Sequence, residues 1–242
     1  MEGGFIAELI AGVLYLVIGV PLILRARHTQ NVSEHFLGPF CLLLGVSYLL
    51  YEIPFALDMG SAAAPLTFAG RLVFDAAVFV IALFNRRFFH GVGGTTLVWV
   101  TALLILSGLA LSVLSGDWDG YAPLRNAGFW LEWSGQLIPF AWLSVEAGVQ
   151  WTRARRRVPL GLVDPMSAHR FLLWSLFALF QLCSNFALVP MYVEFEVLAR
   201  FSPAMDLLIG ILEVASIATI GLACFTPAGY CRWLARPVRR AT

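Results

Sequence analysis

The chain contains no lysine; all 16 of its basic residues are arginines. A retinal pigment needs a lysine to carry its Schiff base, so that class of heptahelical protein is excluded. Charge of either sign is scarce. Charged residues make up 13% and hydrophobic residues 60% of the sequence, where a soluble domain has about 25% and about 45–50%. The mean hydropathy is +0.80. A net charge of +1 provides no basic surplus to attract a polyanion, so no nucleic-acid partner is expected. The four cysteines, Cys41, Cys183, Cys224 and Cys231, form no CxxC pair, and neither a disulfide framework nor a zinc site is expected from them. The four histidines, His28, His35, His90 and His169, all fall at one end of the apolar runs. That placement excludes the seven-helix hydrolases that hold zinc within the membrane. There is no GxSxG, no Walker A sequence and no Rossmann glycine pattern, and Gly91–Gly94 reads as a loop. No metal and no cofactor are expected. The start, MEGGFIAELIAG, has no basic stretch and carries Glu2 and Glu8, so the first apolar run reads as a retained helix and not as a cleaved signal peptide.

What the chain has in abundance is long apolar runs. A bilayer core is crossed by about 20 mostly apolar residues. Seven such runs occur, at about 5–24, 36–57, 67–84, 95–114, 126–150, 165–192 and 203–225. Their spacing leaves room for short loops only, and positions 1–242 read as a single domain. Arginine segregates between alternate loops. Arg25, Arg27, Arg86, Arg87, Arg153, Arg155, Arg156, Arg157, Arg170, Arg232, Arg236, Arg239 and Arg240 fall on one side, 13 of the 16. Arg71, Arg125 and Arg200 fall on the other, with Glu2, Asp58, Asp117, Asp119, Glu194 and Glu196. Positive residues stay cytoplasmic, and this segregation requires an odd number of spans. The expected fold is therefore an all-α membrane protein, a seven-transmembrane-helix bundle with its N-terminus outside and its C-terminus cytoplasmic. The densest positive stretch is Trp151–Trp174. There Arg153, Arg155, Arg156 and Arg157 fix topology, meet lipid headgroups and form a candidate docking site for a cytoplasmic partner. Asp164-Pro165 within it reads as an N-cap followed by proline at the first helical position.

Polar residues inside the runs call for a reason, because an ionisable side chain at the bilayer centre costs at least about 2.5–3.5 kcal/mol. Counting from the run ends puts Asp75, Gln136, Gln181 and Glu213 near the midplane, and Glu52, Arg71, Glu132 and Asn185 in the outer half. Asp206 and Glu146 lie nearer the ends of their runs. Helical spacing turns these residues into stripes. Arg71 and Asp75 are four apart, as are Glu132 and Gln136, and Gln181 and Asn185; Asp206 and Glu213 are seven apart. Stripes of this kind face a bundle interior, and they suggest one acid-rich cavity in the outer half. Arg71 is expected to pair with Asp75 and with Glu52. Four acids, Glu52, Asp75, Glu132 and Glu213, then share one base, and an acid left over is held more cheaply as a neutral carboxyl. The alternative is interhelical glue, polar side chains that only hold helices together. Trp130, Trp133 and Trp142 are candidate walls of a pocket.

Two resemblances extend this reading. The segments FNRRFFHG (Phe84–Gly91) and RRRVPLGLVDPMSAHRFLLW (Arg155–Trp174) resemble recurring segments of uncharacterised bacterial seven-helix integral membrane proteins. That resemblance implies a multi-pass protein of the bacterial inner (cytoplasmic) membrane and no particular activity. Separately, the length, the seven runs, Glu52 on the second and Glu213 on the seventh are similar to the integral-membrane terpene cyclases. The resemblance implies that these acids protonate a polyprenyl epoxide or alkene. The local sequence SYLLYEIPFAL departs from that family, which has a tryptophan just before the acid. Two functions follow. One is a ligand-binding sensor: a small or lipidic ligand meets Glu52, Arg71, Asp75, Glu132, Gln136, Gln181, Asn185 and Glu213, and the signal passes to a separate cytoplasmic protein. The other is a membrane enzyme with Glu52 or Glu213 as general acid. A proton-coupled carrier is disfavoured, since no inverted repeat is visible.

Overall fold

A computed structural model describes residues 3–29, 31–57, 59–60, 63–90, 94–116, 126–194, 203–227 and 229–230. Seven α-helices account for most of it: α1 (Gly3–Thr29), α2 (Val32–Ala56), α3 (Ala63–Asn85), α4 (Thr95–Leu114), α5 (Ala127–Arg157), α6 (Pro165–Glu194) and α7 (Pro203–Cys224). A π-helical turn, Arg86–His90, continues α3, and a 3-10 turn, Val158–Leu160, follows α5. No strand occurs among the described residues. Helices satisfy every interior backbone N–H and C=O within their own segment, as a chain in hydrocarbon must. Six of them are long and apolar enough to cross a membrane, which fits a multi-pass membrane protein. The exception is α5. It is the longest, at 31 residues, but it carries Glu132, Gln136, Glu146 and Gln150.

Two expected loops prove to be helix. α1 runs on through Arg25 and Arg27 to Thr29. α5 runs seven residues past Gln150 to Arg157, so Arg153, Arg155, Arg156 and Arg157 sit on a helix projecting beyond the apolar span. The physical reason is that arginine is a good helix former, while hydropathy registers only where the apolar character stops. The guanidinium of Arg155 lies 5.6 Å from the Trp151 ring centroid, as i,i+4 neighbours should. The helix ends where Pro159 and a left-handed Gly161 (φ 68°) turn the chain. The start of α6 agrees with expectation: Asp164 accepts a hydrogen bond from the backbone N–H of Ser167 at 3.0 Å, and Pro165 is the first helical residue.

The helices form a closed ring. α1 packs on α2, α2 on α3, α4 on α5, α5 on α6, α6 on α7, and α7 back on α1, while α3 touches both α4 and α5. The ring is filled by aromatic and aliphatic side chains. Phe40 of α2, Phe140 of α5 and Phe177 of α6 meet one another with centroids 5.7–6.3 Å apart, and all three are fully buried. At the arginine-rich end, Phe84 and Phe88 pack edge-to-face on Trp174 of α6, Phe88 also on Phe171, and Phe89 meets Phe171 at a tilt. The described parts of the two segments singled out by their resemblance therefore meet, Phe84–Phe89 against Phe171–Trp174.

Small residues let neighbouring backbones touch. A Cβ on Gly19 would stand 2.6 Å from the Leu42 backbone nitrogen, and one on Gly45 2.7 Å from the Gly12 carbonyl oxygen, so α1 and α2 are in backbone contact. Such approach is how membrane helices gain van der Waals energy where water cannot drive association. Gly221, by contrast, faces only Ile18 Cδ1 at 3.5 Å. Gly19→Ala is expected to cost about 1–3 kcal/mol through overpacking, and Gly221→Ala to leave stability unchanged or raised. Unfolding of both variants in detergent or nanodiscs tests the contrast. Equal stability of the two would show that the α1–α2 seam is not tightly packed.

Candidate functional site

The polar side chains inside the bundle gather into two groups on different helices. The first joins α3, α4 and α5. Arg71 presents Nε and Nη2 to the two carboxylate oxygens of Glu132 in a fork, the geometry that suits guanidinium to carboxylate. Its Nη2 also donates to Ser112 Oγ on α4 at 2.9 Å. One turn deeper, Gln136 Nε2 donates to Asp75 Oδ1 at 2.8 Å and lies 3.5 Å from Glu132 Oε1. Both cross-helix pairs, Arg71 with Glu132 and Asp75 with Gln136, are 61 positions apart. A constant offset means that α3 and α5 run parallel, in register, with one i,i+4 stripe laid on the other.

Local sequence builds this group. Asn126 caps α5 by accepting from the Gly128 N–H at 2.8 Å, so the helix starts just before Glu132. Gly128 and Gly108 sit where α4 crosses α5: a Cβ on Gly108 would be 2.5 Å from the Glu132 backbone nitrogen. Glycine at both positions brings α4 close enough for Ser112 to reach Arg71. The expectation that Arg71 pairs with Asp75 and Glu52 is corrected. Its ion pair is with Glu132, because the Nε–Nη2 edge of the guanidinium faces α5 across the helix contact. Glu52 is half-buried on α2, and no hydrogen bond or ion pair joins it to another described residue.

The second group joins α1, α2, α6 and α7 around Glu213. Ser184 Oγ donates to Glu213 Oε1 at 2.9 Å and Gln181 Nε2 to Oε2 at 3.1 Å. Gln181 Nε2 also lies 3.0 Å from the Tyr15 hydroxyl and 2.9 Å from Ser216 Oγ. An amide nitrogen has two hydrogens, so these three acceptors compete for them. Tyr15 stacks on Tyr48 with centroids 6.0 Å apart. No cation among the described residues pairs with Glu213; a hydroxyl and one amide satisfy it. The Tyr15, Ser184 and Ser216 contributions are not evident from the sequence, where charged residues and amides stand out; Tyr48 falls on the inward stripe of Cys41 and Glu52. One signal is present: Ser216 lies three residues from Glu213.

The remaining candidates separate from both groups. Asn185 donates to the Gln181 carbonyl of its own helix at 2.8 Å. Glu146 is half-buried on α5. Trp130, Trp133 and Phe186 form an edge-to-face row across α5 and α6, with centroids 5.6 Å apart, whereas Trp142 is packed against Ala82 and Val98. Arg153, Arg155, Arg156 and Arg157 are exposed. At the same end, Glu34 is buried beneath Arg25 at 3.0 Å and Thr29 at 2.6 Å, and Tyr230 hydrogen-bonds His169. Asp58, Asp117, Asp119, Cys231 and the C-terminal arginines lie outside the described residues, as does the Asp206 side chain. Among the described residues no group of His, Cys, Asp and Glu has the arrangement of a metal site. No protein-family model, curated protein or solved structure matches the chain.

Arg71 cannot shed its charge, so removing its partner leaves a bare ion inside the bundle. Arg71→Met and Glu132→Met are each expected to cost about 3–5 kcal/mol. The double variant should recover most of that loss, since neither charge remains. A double-mutant cycle read by unfolding in a bilayer mimetic tests this. Additive losses would mean that the pair does not couple α3 to α5.

Proposed function

We propose that the chain is a seven-span sensor of a bacterial cytoplasmic membrane, with the N-terminus outside. A small ligand would act on the acid-rich polar layer, and the output would pass to a separate protein at Arg153–Arg157. The observation that carries this reading is the reach of α3. In its middle turns it holds Arg71 and Asp75, locked to α5. At its C-terminal end it passes without a break into the π-turn Arg86–His90, whose Phe88 and Phe89 pack on Phe171 and Trp174 of α6. π-turns within helices concentrate at functional sites. A shift of α3 against α5 would thus reach the face where the exposed arginines lie. The orientation is supported by the arginine segregation, and α5 as the seventh span by its ion-paired interior face: Glu132 and Gln136 turn inward, so they are not a cost to lipid. The meeting of the two recurring segments at this face supports kinship with the bacterial seven-helix proteins that they resemble.

The enzyme reading rests on Glu213 and Glu52. Both oxygens of Glu213 already accept hydrogen bonds from protein groups, which leaves less of the acid for a polyprenyl substrate. Glu213→Gln separates the two readings: lost turnover of a polyprenyl epoxide would support the enzyme. Coupling tests the sensor directly. Spin labels at Arg87→Cys and Arg156→Cys, with the exposed Cys183 replaced by Ala, report the distance across the arginine-rich face. Gln136→Leu, which breaks the Asp75 contact, is expected to shift that distance distribution. An unchanged distribution in a folded variant would sink the sensor reading.

A further inference from the structure

The hydrogen-bond inventory of the α3–α5 cluster is one hydrogen short. Both oxygens of Glu132 are taken by Arg71, and Asp75 Oδ1 is taken by Gln136. Asp75 Oδ2 is fully buried and receives no hydrogen from any N–H or O–H donor. Asp75 is 7% and Glu132 2% exposed, so solvent does not make up the difference. The two carboxyl groups flank one amide nitrogen: Gln136 Nε2 lies 2.8 Å from Asp75 Oδ1 and 3.5 Å from Glu132 Oε1. As two carboxylates beside a single guanidinium, they would carry a net charge of −1 inside the bundle. A buried acceptor without a donor, next to a like charge, is among the costliest arrangements a protein interior can hold.

We infer that Asp75 and Glu132 form a proton-binding site, with one exchangeable proton on Asp75 Oδ2 donated to a Glu132 oxygen. That proton fills the unmet valence and leaves the cluster neutral, Arg71 against one shared negative charge. The other neighbours do not supply it. α4 contributes Ser112, which is occupied by Arg71. α2 brings Tyr51 toward Arg71, and α5 brings Gln136, whose hydrogens are directed to Asp75 Oδ1 and Glu132. Glu132 is the sixth residue of α5, so the site lies only ~8 Å along the helix from its start. The step balances simply: a proton from water adds to Asp75 on binding and returns to water on release. Release leaves two carboxylates that repel across the α3–α5 contact. Under the sensor reading, this makes the proton a signal, or the partner of one; the site itself stands without that reading.

Asp75→Asn is close to a copy of the protonated state, since its Oδ1 still accepts from Gln136 and its Nδ2 donates where the acid O–H did. The full chain in nanodiscs is examined by infrared spectroscopy in H2O and D2O across a pH series. A protonated-carboxyl C=O band that shifts in D2O is expected, and it should move when aspartate alone carries a 13C carboxyl label. It should vanish in Asp75→Asn and persist in Glu52→Gln. Stability gives a second readout. A proton held in the folded state stabilises at low pH and is lost as pH rises, so the wild type should lose stability with rising pH where Asp75→Asn does not. A band insensitive to the aspartate label, or one removed by Glu213→Gln instead, would overturn the assignment. So would a wild type and Asp75→Asn with the same pH slope. The label needs no variant, so the test holds even if Asp75→Asn fails to fold. It reads only the proton, so it can fail while the spin-label coupling stands, or the reverse.

Discussion

A guanidinium buried where α3, α4 and α5 meet sets the terms for everything near it. Arg71 keeps its charge at any relevant pH, and bringing a charge out of water costs several kcal/mol unless it is paired and hydrogen-bonded. Its fork must meet a carboxylate edge-on, so Glu132 must stand at one height on α5, and Asn126 starts that helix at the residue that puts it there. The second Nη2 hydrogen needs an acceptor, and Ser112 comes in from α4 to supply it. It can do so only because Gly108 and Gly128 carry no Cβ where the two backbones touch. One buried charge thus explains a cap, two glycines, a serine and the register of three helices.

The Glu213 group solves a similar problem without a cation. Its bonds run between α1, α6 and α7, the elements that close the ring. Hydrogen bonds between membrane helices are worth on average about 0.6 kcal/mol each. A handful of them is enough to seal α7 onto α1 and too little to prove any other purpose. The α3–α5 cluster differs in kind. The ion pair and Ser112 already form a complete structural unit, and Asp75 adds a second acid that holds nothing in place except Gln136. A buried acid beyond what the packing needs is harder to account for as glue.

Much of this architecture is visible in the residues alone. The stripes Arg71/Asp75 and Glu132/Gln136 follow from 3.6-residue periodicity, and both do face the interior. Their partners could not be read, because spacing along one helix says nothing about which helix lies opposite. Asp75, four residues from Arg71, looked like the natural counter-ion until α5 presented a carboxylate face-on. Helix ends were misplaced wherever arginine carried the helix past the hydrophobic run, at Thr29 and at Arg157, since apolar content marks the bilayer and not the helix. The uncharged members Tyr15, Ser184 and Ser216 carry no individual signal in an apolar sequence. They matter only because α1, α6 and α7 converge on them.

The constant offset between α3 and α5 bears on how such a bundle could move. Two parallel helices joined by matched pairs one turn apart resist sliding, because a shift that breaks one pair breaks both. Releasing a proton that Asp75 shares with Glu132 would put like charges on both rungs, which favours a tilt or rotation of α3 about the Arg71–Glu132 anchor over a slide past it. A rotation about that point would be carried along α3 to its far end, where a π-turn has already departed from α-helical winding. A π-turn accommodates a one-residue change of phase that a regular helix would have to break to achieve. The aromatic rings there meet edge-to-face, Phe88 on Phe171 and Trp174, or tilted, Phe89 on Phe171, geometries of similar energy. Under the sensor reading, the polar cluster would be the pivot and the π-turn the joint that yields. Between them lies an aromatic core, Phe40, Phe140 and Phe177, too well packed to absorb the motion.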